Sequence, residues 1–120
     1  MQFDIRSESF ELTTALHRYA RRRLDFALSR FLPNLDNVCV RLIDENGPRG
    51  GIDKRCQVRL RLQGISEVII NTVATDLYVA IDRAADRAGN TVARRWARYK
   101  QSMRARMLPP HRSIEYVLAQ

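Results

Sequence analysis

Arg83, Arg87, Arg94 and Arg98 recur along the second half of this chain at helical spacing. At about 100° per residue a helix gathers them into one narrow arc, roughly opposite Trp96, with the small polar residues Asn90 and Thr91 close by. A guanidinium is planar, always charged, forks onto phosphate oxygens and stacks on bases. The chemistry such an arc offers is the binding of a polyanion, not the making of bonds. From Arg83 to Arg106 there are eight basic residues and one acidic residue, Asp86. Helix surfaces usually mix signs so that neighbouring turns pair. An unmixed stripe repels itself and favours an external anion; the alternative reading is a solvated face.

A second group repeats the theme. Arg18, Arg21, Arg22, Arg23 and Arg30 stand against Asp25 alone. On a helix Arg18 and Arg22 share a face. Arg23 falls within the apolar stripe, where its stem can lie on the core while its head reaches out at an edge. Two such helices side by side would present their arginines across one ridge, able to straddle the phosphates of a folded RNA with a salt-sensitive affinity.

Other chemistries find little to work with. His17 and His111 are far apart in the chain. Cys39 and Cys56 lack metal-ligand spacing and read as free thiols in a reducing compartment, a disulfide being the minor alternative. Cys56 falls on the apolar side of its strand, and Cys39 has no evident base beside it. Gly47-Pro48-Arg49-Gly50-Gly51 lacks the ending and the helix start of a phosphate-binding loop. Asp44, Glu45 and Asp53 match no loop with a full oxygen shell for a cation. No catalytic residue, metal site, cofactor or small-molecule substrate is expected.

The elements that position the arginines follow from periodicity. With 120 residues, 45% of them hydrophobic, the chain suits one compact domain with an ordinary core. Its formal net charge is +8, and 19 of its 21 basic residues are arginines. Residues 2–6 alternate as a short strand. Leu12, Leu16, Tyr19, Ala20, Leu24, Ala27 and Phe31 form the apolar stripe of a helix over about residues 11–31, ended by Pro33. Val38, Val40 and Leu42, then Cys56, Val58, Leu60 and Leu62, alternate as the strands of a hairpin joined by a glycine-rich loop. A third β-rich run covers Glu67 to Ala74. Thr75 or Asp76 then caps a helix carrying Leu77, Ile81, Ala84, Ala88, Val92, Trp96 and Tyr99 inward, to about Met103, with Gly89 weakening its middle. The order βαβββα predicts an α+β fold: a mostly antiparallel four-stranded sheet with both helices on one face. Arg41, Arg55, Gln57, Arg59 and Arg61 would occupy the other, wet face. Residues 1–106 read as the domain and residues 107–120 as a short C-terminal tail.

Two stretches carry a family resemblance. Glu11-Leu12-Thr13-Thr14-Ala15-Leu16 with Tyr19, Arg23-Leu24 and Arg30-Phe31 resembles the first-helix pattern of the ribosome hibernation promoting factors and ribosome-associated inhibitors. Asp76-Leu77-Tyr78-Val79-Ala80-Ile81-Asp82, continuing to Asp86-Arg87, resembles the opening of that family's second helix. The similarity covers roughly residues 2–103, and the Asp76–Asp82 motif is its more specific part. The chain departs from the pattern at Ala88-Gly89-Asn90, in place of a more helix-favouring stretch, and in its long 44–56 hairpin loop.

The resemblance implies a βαβββα protein that docks in the decoding channel of the small ribosomal subunit, against 16S rRNA, and silences or protects idle ribosomes. It also implies rRNA contacts at Arg23 and Arg87, with Arg83 and Arg94 as neighbours. Together with the arcs read above, the expected RNA-binding set is Arg18, Arg22, Arg23, Tyr78, Arg83, Arg87, Arg94 and Arg98. Tyr78 is equally suited to stacking on a base and to packing on the sheet. Asp76 is explained as a helix cap, and Asp82 as a partner for Arg83 or Arg87. No apolar run is long enough to cross a bilayer, so a cytoplasmic, ribosome-associated protein without a membrane partner is expected. The alternatives are a general structured-RNA-binding stress protein, or a protein–protein module whose segment Ile114 to Leu118 adds a strand to a partner's sheet.

Overall fold

The computed structural model describes residues 2–45 and 52–107. Strand β1 spans Gln2–Glu8 and helix α1 spans Thr14–Ala27, followed by a 3-10 turn over Ser29–Asn34. Then come β2 (Leu35–Asp44), β3 (Lys54–Leu62), β4 (Val68–Ala74) and the long helix α2 (Leu77–Met107). The four strands lie in the order β1-β2-β3-β4. β1 pairs with β2 in parallel, placing Phe3 opposite Val38 and Ile5 opposite Val40. The other two pairings are antiparallel. This is the α+β architecture that the alternating and helical patterns predict.

The core lies between the sheet and the helices. Val38, Val40 and Leu42 of β2 and Cys56, Val58, Leu60 and Leu62 of β3 are buried, so each strand turns alternate residues inward. Leu16, Ala20 and Leu24 meet them from α1; Ala80, Ile81, Ala84, Ala88 and Val92 meet them from α2. Each of the larger buried aliphatic side chains contributes roughly 1.5–3 kcal/mol relative to exposure. Thr72 is buried among them, and its hydroxyl donates to the Ala80 carbonyl at 2.7 Å, tying β4 to α2.

The helix boundaries differ from expectation for local reasons. Helix α1 starts at Thr14 and not near residue 11, because Thr13 caps it: its hydroxyl oxygen accepts from the Leu16 N–H at 3.2 Å. At its far end α1 tightens into the 3-10 turn, which holds Pro33 inside it and buries Phe31. Asp76 caps α2, accepting from the Tyr78 N–H at 2.6 Å. Gly89 sits where α2 crosses the end of α1: a Cβ there would lie 3.0 Å from the Ala27 carbonyl oxygen. The residue that weakens the helix in isolation is the one that lets the two helices approach.

Gly64, in the turn between β3 and β4, has φ +77, and a Cβ there would meet the Tyr99 ring at 2.3–2.5 Å. Gly64→Ala is expected to cost about 1–2 kcal/mol, from left-handed backbone strain and displacement of the ring. A thermal melt checks this, and an unchanged midpoint would show that the turn relaxes freely.

Lys54 closes the base of the β2–β3 hairpin. Its ammonium lies 2.8 Å from Asp44 and 3.0 Å from Asp53. Its pKa is raised by the hydrogen bonds to Asp44 and then Asp53. The acidic residues near this loop therefore grip a lysine, and among the described residues no cluster is suited to a metal ion. Arg49, Pro109-Pro110 and the segment Ile114 to Leu118 lie outside the described residues.

Candidate nucleic-acid interface

The two flanks of α2 have opposite electrostatic characters, because α1 lies beside one and the edge strand β4 beside the other. On the β4 flank, Arg83 donates to the Val73 carbonyl at 2.8 Å, Arg87 to that of Asn71 at 3.2 Å and Arg95 to that of Glu67 at 3.2 Å. These acceptors lie along the open edge of the sheet, which would otherwise offer unpaired carbonyls to another strand. Arg94 leans on the Thr91 hydroxyl at 3.4 Å, and Arg98 is exposed. A carbonyl is neutral, and a guanidinium has five donors. Each arginine is thus oriented by its backbone contact while keeping its charge and most of its donors. Among the described residues none of Arg83, Arg87, Arg94 and Arg98 makes an ion pair.

The α1 flank is neutralised. Arg23 reaches across from α1, its Nε 2.8 Å from Asp82 and its terminal nitrogen 3.1 Å from Asp86. The Tyr19 hydroxyl donates to the same Asp82 oxygen at 2.5 Å. Desolvation pushes the Asp82 carboxyl up, but the hydrogen bonds from Tyr19 and Arg23 and the Arg23 charge outweigh it, leaving a net lowered pKa. The hydrogen bond to Asp82 raises both the Tyr19 and the Arg23 pKa. Asp82 therefore pairs with neither Arg83 nor Arg87. The Arg23 head does not extend free into solvent: its side chain is 24% exposed and holds the two helices together.

Tyr78 lies at the α1–α2 seam, partly exposed. Its ring meets Tyr19 edge-on, centroids 4.8 Å apart, and the residue stays 40% exposed. Elsewhere on α1, Arg21 pairs with Asp25 at 3.3 Å and lies over the Phe3 ring, 4.5 Å from its centroid. Arg30 lies over Phe31. Arg18 and Arg22 are exposed and, among the described residues, without an ion pair. Of the seven arginines and one tyrosine singled out in the sequence, six arginines thus present unmatched charge: Arg18 and Arg22 on α1, and Arg83, Arg87, Arg94 and Arg98 on α2.

The open sheet face is also rich in arginine but is mostly matched, with Arg59 standing exposed and, among the described residues, without an ion pair. Arg6 pairs with Asp4 at 3.0 Å, Arg41 with Glu8, Arg55 with Glu45 at 2.9 Å and Arg61 with Glu67 at 4.0 Å. Exposed pairs of this kind stabilise the fold by ~1 kcal/mol or less, but they cancel the field an anion would feel. Arg95 is the residue the periodicity argument passed over. It lies outside the narrow arc, and only the fold brings it to β4.

Burial pushes the Cys56 thiol up to about 12, far from nucleophilic at neutral pH. His17 is exposed on α1. Among the described residues no helix is long and apolar enough to cross a membrane.

Fold and surface together define a small α+β domain that displays an unneutralised arginine row on one helix flank. The chain belongs to the Sigma 54 modulation protein / S30EA ribosomal protein family, whose model matches residues 3–100. That is the family of ribosome-associated hibernation factors which the Asp76–Asp82 motif resembles. The Protein Y N-terminal domain of Thermus thermophilus is similar in structure, with a TM-score of 0.64 and 27% identity, over 78% of this chain and 98% of that one. A ribosomal subunit interface protein from Coxiella burnetii shares the fold at a TM-score of 0.67 and 14% identity, over 81% of this chain and 99% of that one. No curated protein matches the sequence.

Proposed function

We propose that this protein binds the RNA of the small ribosomal subunit, 16S rRNA, through Arg83, Arg87, Arg94 and Arg98 of α2 with Arg18 and Arg22 of α1. It thereby silences or shields idle ribosomes in the cytoplasm, with no catalytic step of its own. The observation that carries this reading is the contrast in charge matching. The α1–α2 seam and four of the five arginines on the sheet face (Arg59 excepted) pair with carboxylates, whereas the outer arginines of α2 meet only neutral acceptors. A row of fixed positive charge held by a rigid helix attracts a phosphate backbone and releases its counterions. Membership of a ribosome-associated family makes rRNA the polyanion of choice.

Co-sedimentation with purified small subunits across a salt series tests this. If about five phosphates are engaged, affinity falls roughly a hundredfold or more between 50 and 200 mM salt. Absence of binding at low salt, or binding indifferent to salt, overturns the reading. Binding of equal strength to unrelated structured RNAs would favour the general RNA-binding alternative. Arg83, Arg87 and Arg95 occupy carbonyls along the open sheet edge, which disfavours a partner's strand adding there.

A further inference from the structure

The arginine row does not end at Arg98. Between the β3–β4 turn and the last turns of α2 lies an open cleft of about 640 Å³. Arg95, Arg98 and Arg106 line it, Ser66 and Ser102 add hydroxyls, and none of its lining residues is acidic. One wall is Tyr99. Its ring lies directly over Gly64, which has no Cβ to hold it off, and it is backed by Trp96 at a centroid distance of 5.5 Å. Trp96 in turn packs edge-on against the buried Phe31, 6.2 Å away. The aromatic wall is thus anchored to the core, while Arg95 is steadied by the Glu67 carbonyl. Among the described residues, Arg98 and Arg106 have neither an ion pair nor a hydrogen bond from their side chains.

A fixed aromatic surface, free guanidiniums and hydroxyls around one cleft match the three parts of a nucleotide. The base has a π-face to stack, the phosphate takes guanidinium donors, and the ribose hydroxyls pair with small polar groups. We propose that this cleft is a nucleotide subsite, with the phosphate held by Arg98 and Arg106 and the base laid against Tyr99. The same chemistry is presented by a nucleotide within an RNA strand and by a free one. The strand form rests on the RNA-binding reading above, since a strand following Arg83, Arg87 and Arg94 along α2 runs into the cleft.

Trp96 is the only tryptophan of the chain, so its emission reports on Tyr99 and the cleft. The full-length protein is titrated with a six-nucleotide oligoadenylate, with adenosine monophosphate and with inorganic phosphate. Anisotropy of labelled oligoadenylate gives a second readout, and co-sedimentation with small subunits runs in parallel. The oligonucleotide is expected to shift Trp96 emission while inorganic phosphate leaves it unchanged. The double variant Arg98→Ala, Arg106→Ala is expected to weaken the oligonucleotide by about tenfold or more. Both positions are exposed, so the variant should fold; its circular dichroism verifies that.

An emission change with adenosine monophosphate alone, lost in the double variant, also supports the subsite and assigns it to free nucleotides. Oligonucleotide bound by anisotropy with unchanged emission and no effect of the double variant overturns the subsite. So does the absence of any response to both nucleotide probes. In either case co-sedimentation reports separately on the ribosomal reading, which can stand without the cleft.

Discussion

Reversing the charge at Arg83, Arg87 and Arg94 to glutamate is expected to abolish co-sedimentation with small ribosomal subunits while leaving the fold intact. Hydrogen bonds to charged groups are worth about 1.5–3 kcal/mol each, so three lost contacts alone weaken binding by roughly a thousandfold or more. The introduced carboxylates add repulsion from the phosphates. The fold tolerates the change because all three side chains are exposed, and the carbonyls of Val73 and Asn71 that Arg83 and Arg87 cover lie on an open edge where water replaces them. Far-UV circular dichroism and a melt near that of the unaltered protein are the required controls. Undiminished sedimentation of a folded triple variant would remove the α2 row from the interface. A matched reversal on the sheet face, Arg41→Glu with Arg55→Glu, provides the contrast, since those arginines already answer to Glu8 and Glu45.

Asp82→Ala should have the largest effect on stability. It removes the shared carboxylate acceptor of Tyr19 and Arg23 and leaves the half-buried guanidinium with Asp86 and the backbone carbonyl of residue 82. Because Asp82 is 40% exposed, solvent moderates the loss; roughly 2–3 kcal/mol is expected, or about 10 °C or more in the melting midpoint. The same carboxylate makes stability depend on acidity. Its folded pKa lies below the ordinary value, so the unfolded chain takes up the proton first as pH falls. The stabilisation is present above the ordinary aspartate pKa of about 4 and drains away as pH drops through the folded one. Asp82→Asn keeps the shape and an acceptor but should lose this component of the acid dependence. Denaturant melts of both variants at pH 7 and pH 3 measure it. Equal destabilisation of Asp82→Asn at the two pH values would show that another carboxylate governs acid unfolding.

Much of the architecture was legible because its determinants are local. Strand alternation in Val38-Cys39-Val40-Arg41-Leu42 and the helical spacing of Ile81, Ala84, Ala88 and Val92 depend on neighbours within a few residues. They correctly assign both element type and inward face. The same periodicity places Arg83, Arg87, Arg94 and Arg98 on an exposed arc. Boundaries were less legible. The end of α1 depends on how Phe31 is buried by the 3-10 turn, and Gly89 reads as a defect until Ala27 is seen against it.

Residue type and helical phase, both carried by the sequence, determine that this protein is basic, α+β, and arginine-rich on two helices. Tertiary structure alone decides which of those arginines keep their charge. Arg23 meets Asp82 and Asp86 at separations of 59 and 63 residues, and Arg95 meets Glu67 at 28. Such partners are set by how α1 and β4 flank α2, not by any local pattern. The helical phase of Arg23 does not reveal that two carboxylates wait on the neighbouring helix, and nothing near Tyr99 in the chain announces the bare backbone of Gly64 beneath it. Charge is a property of the residue. Whether that charge is available is a property of the packing.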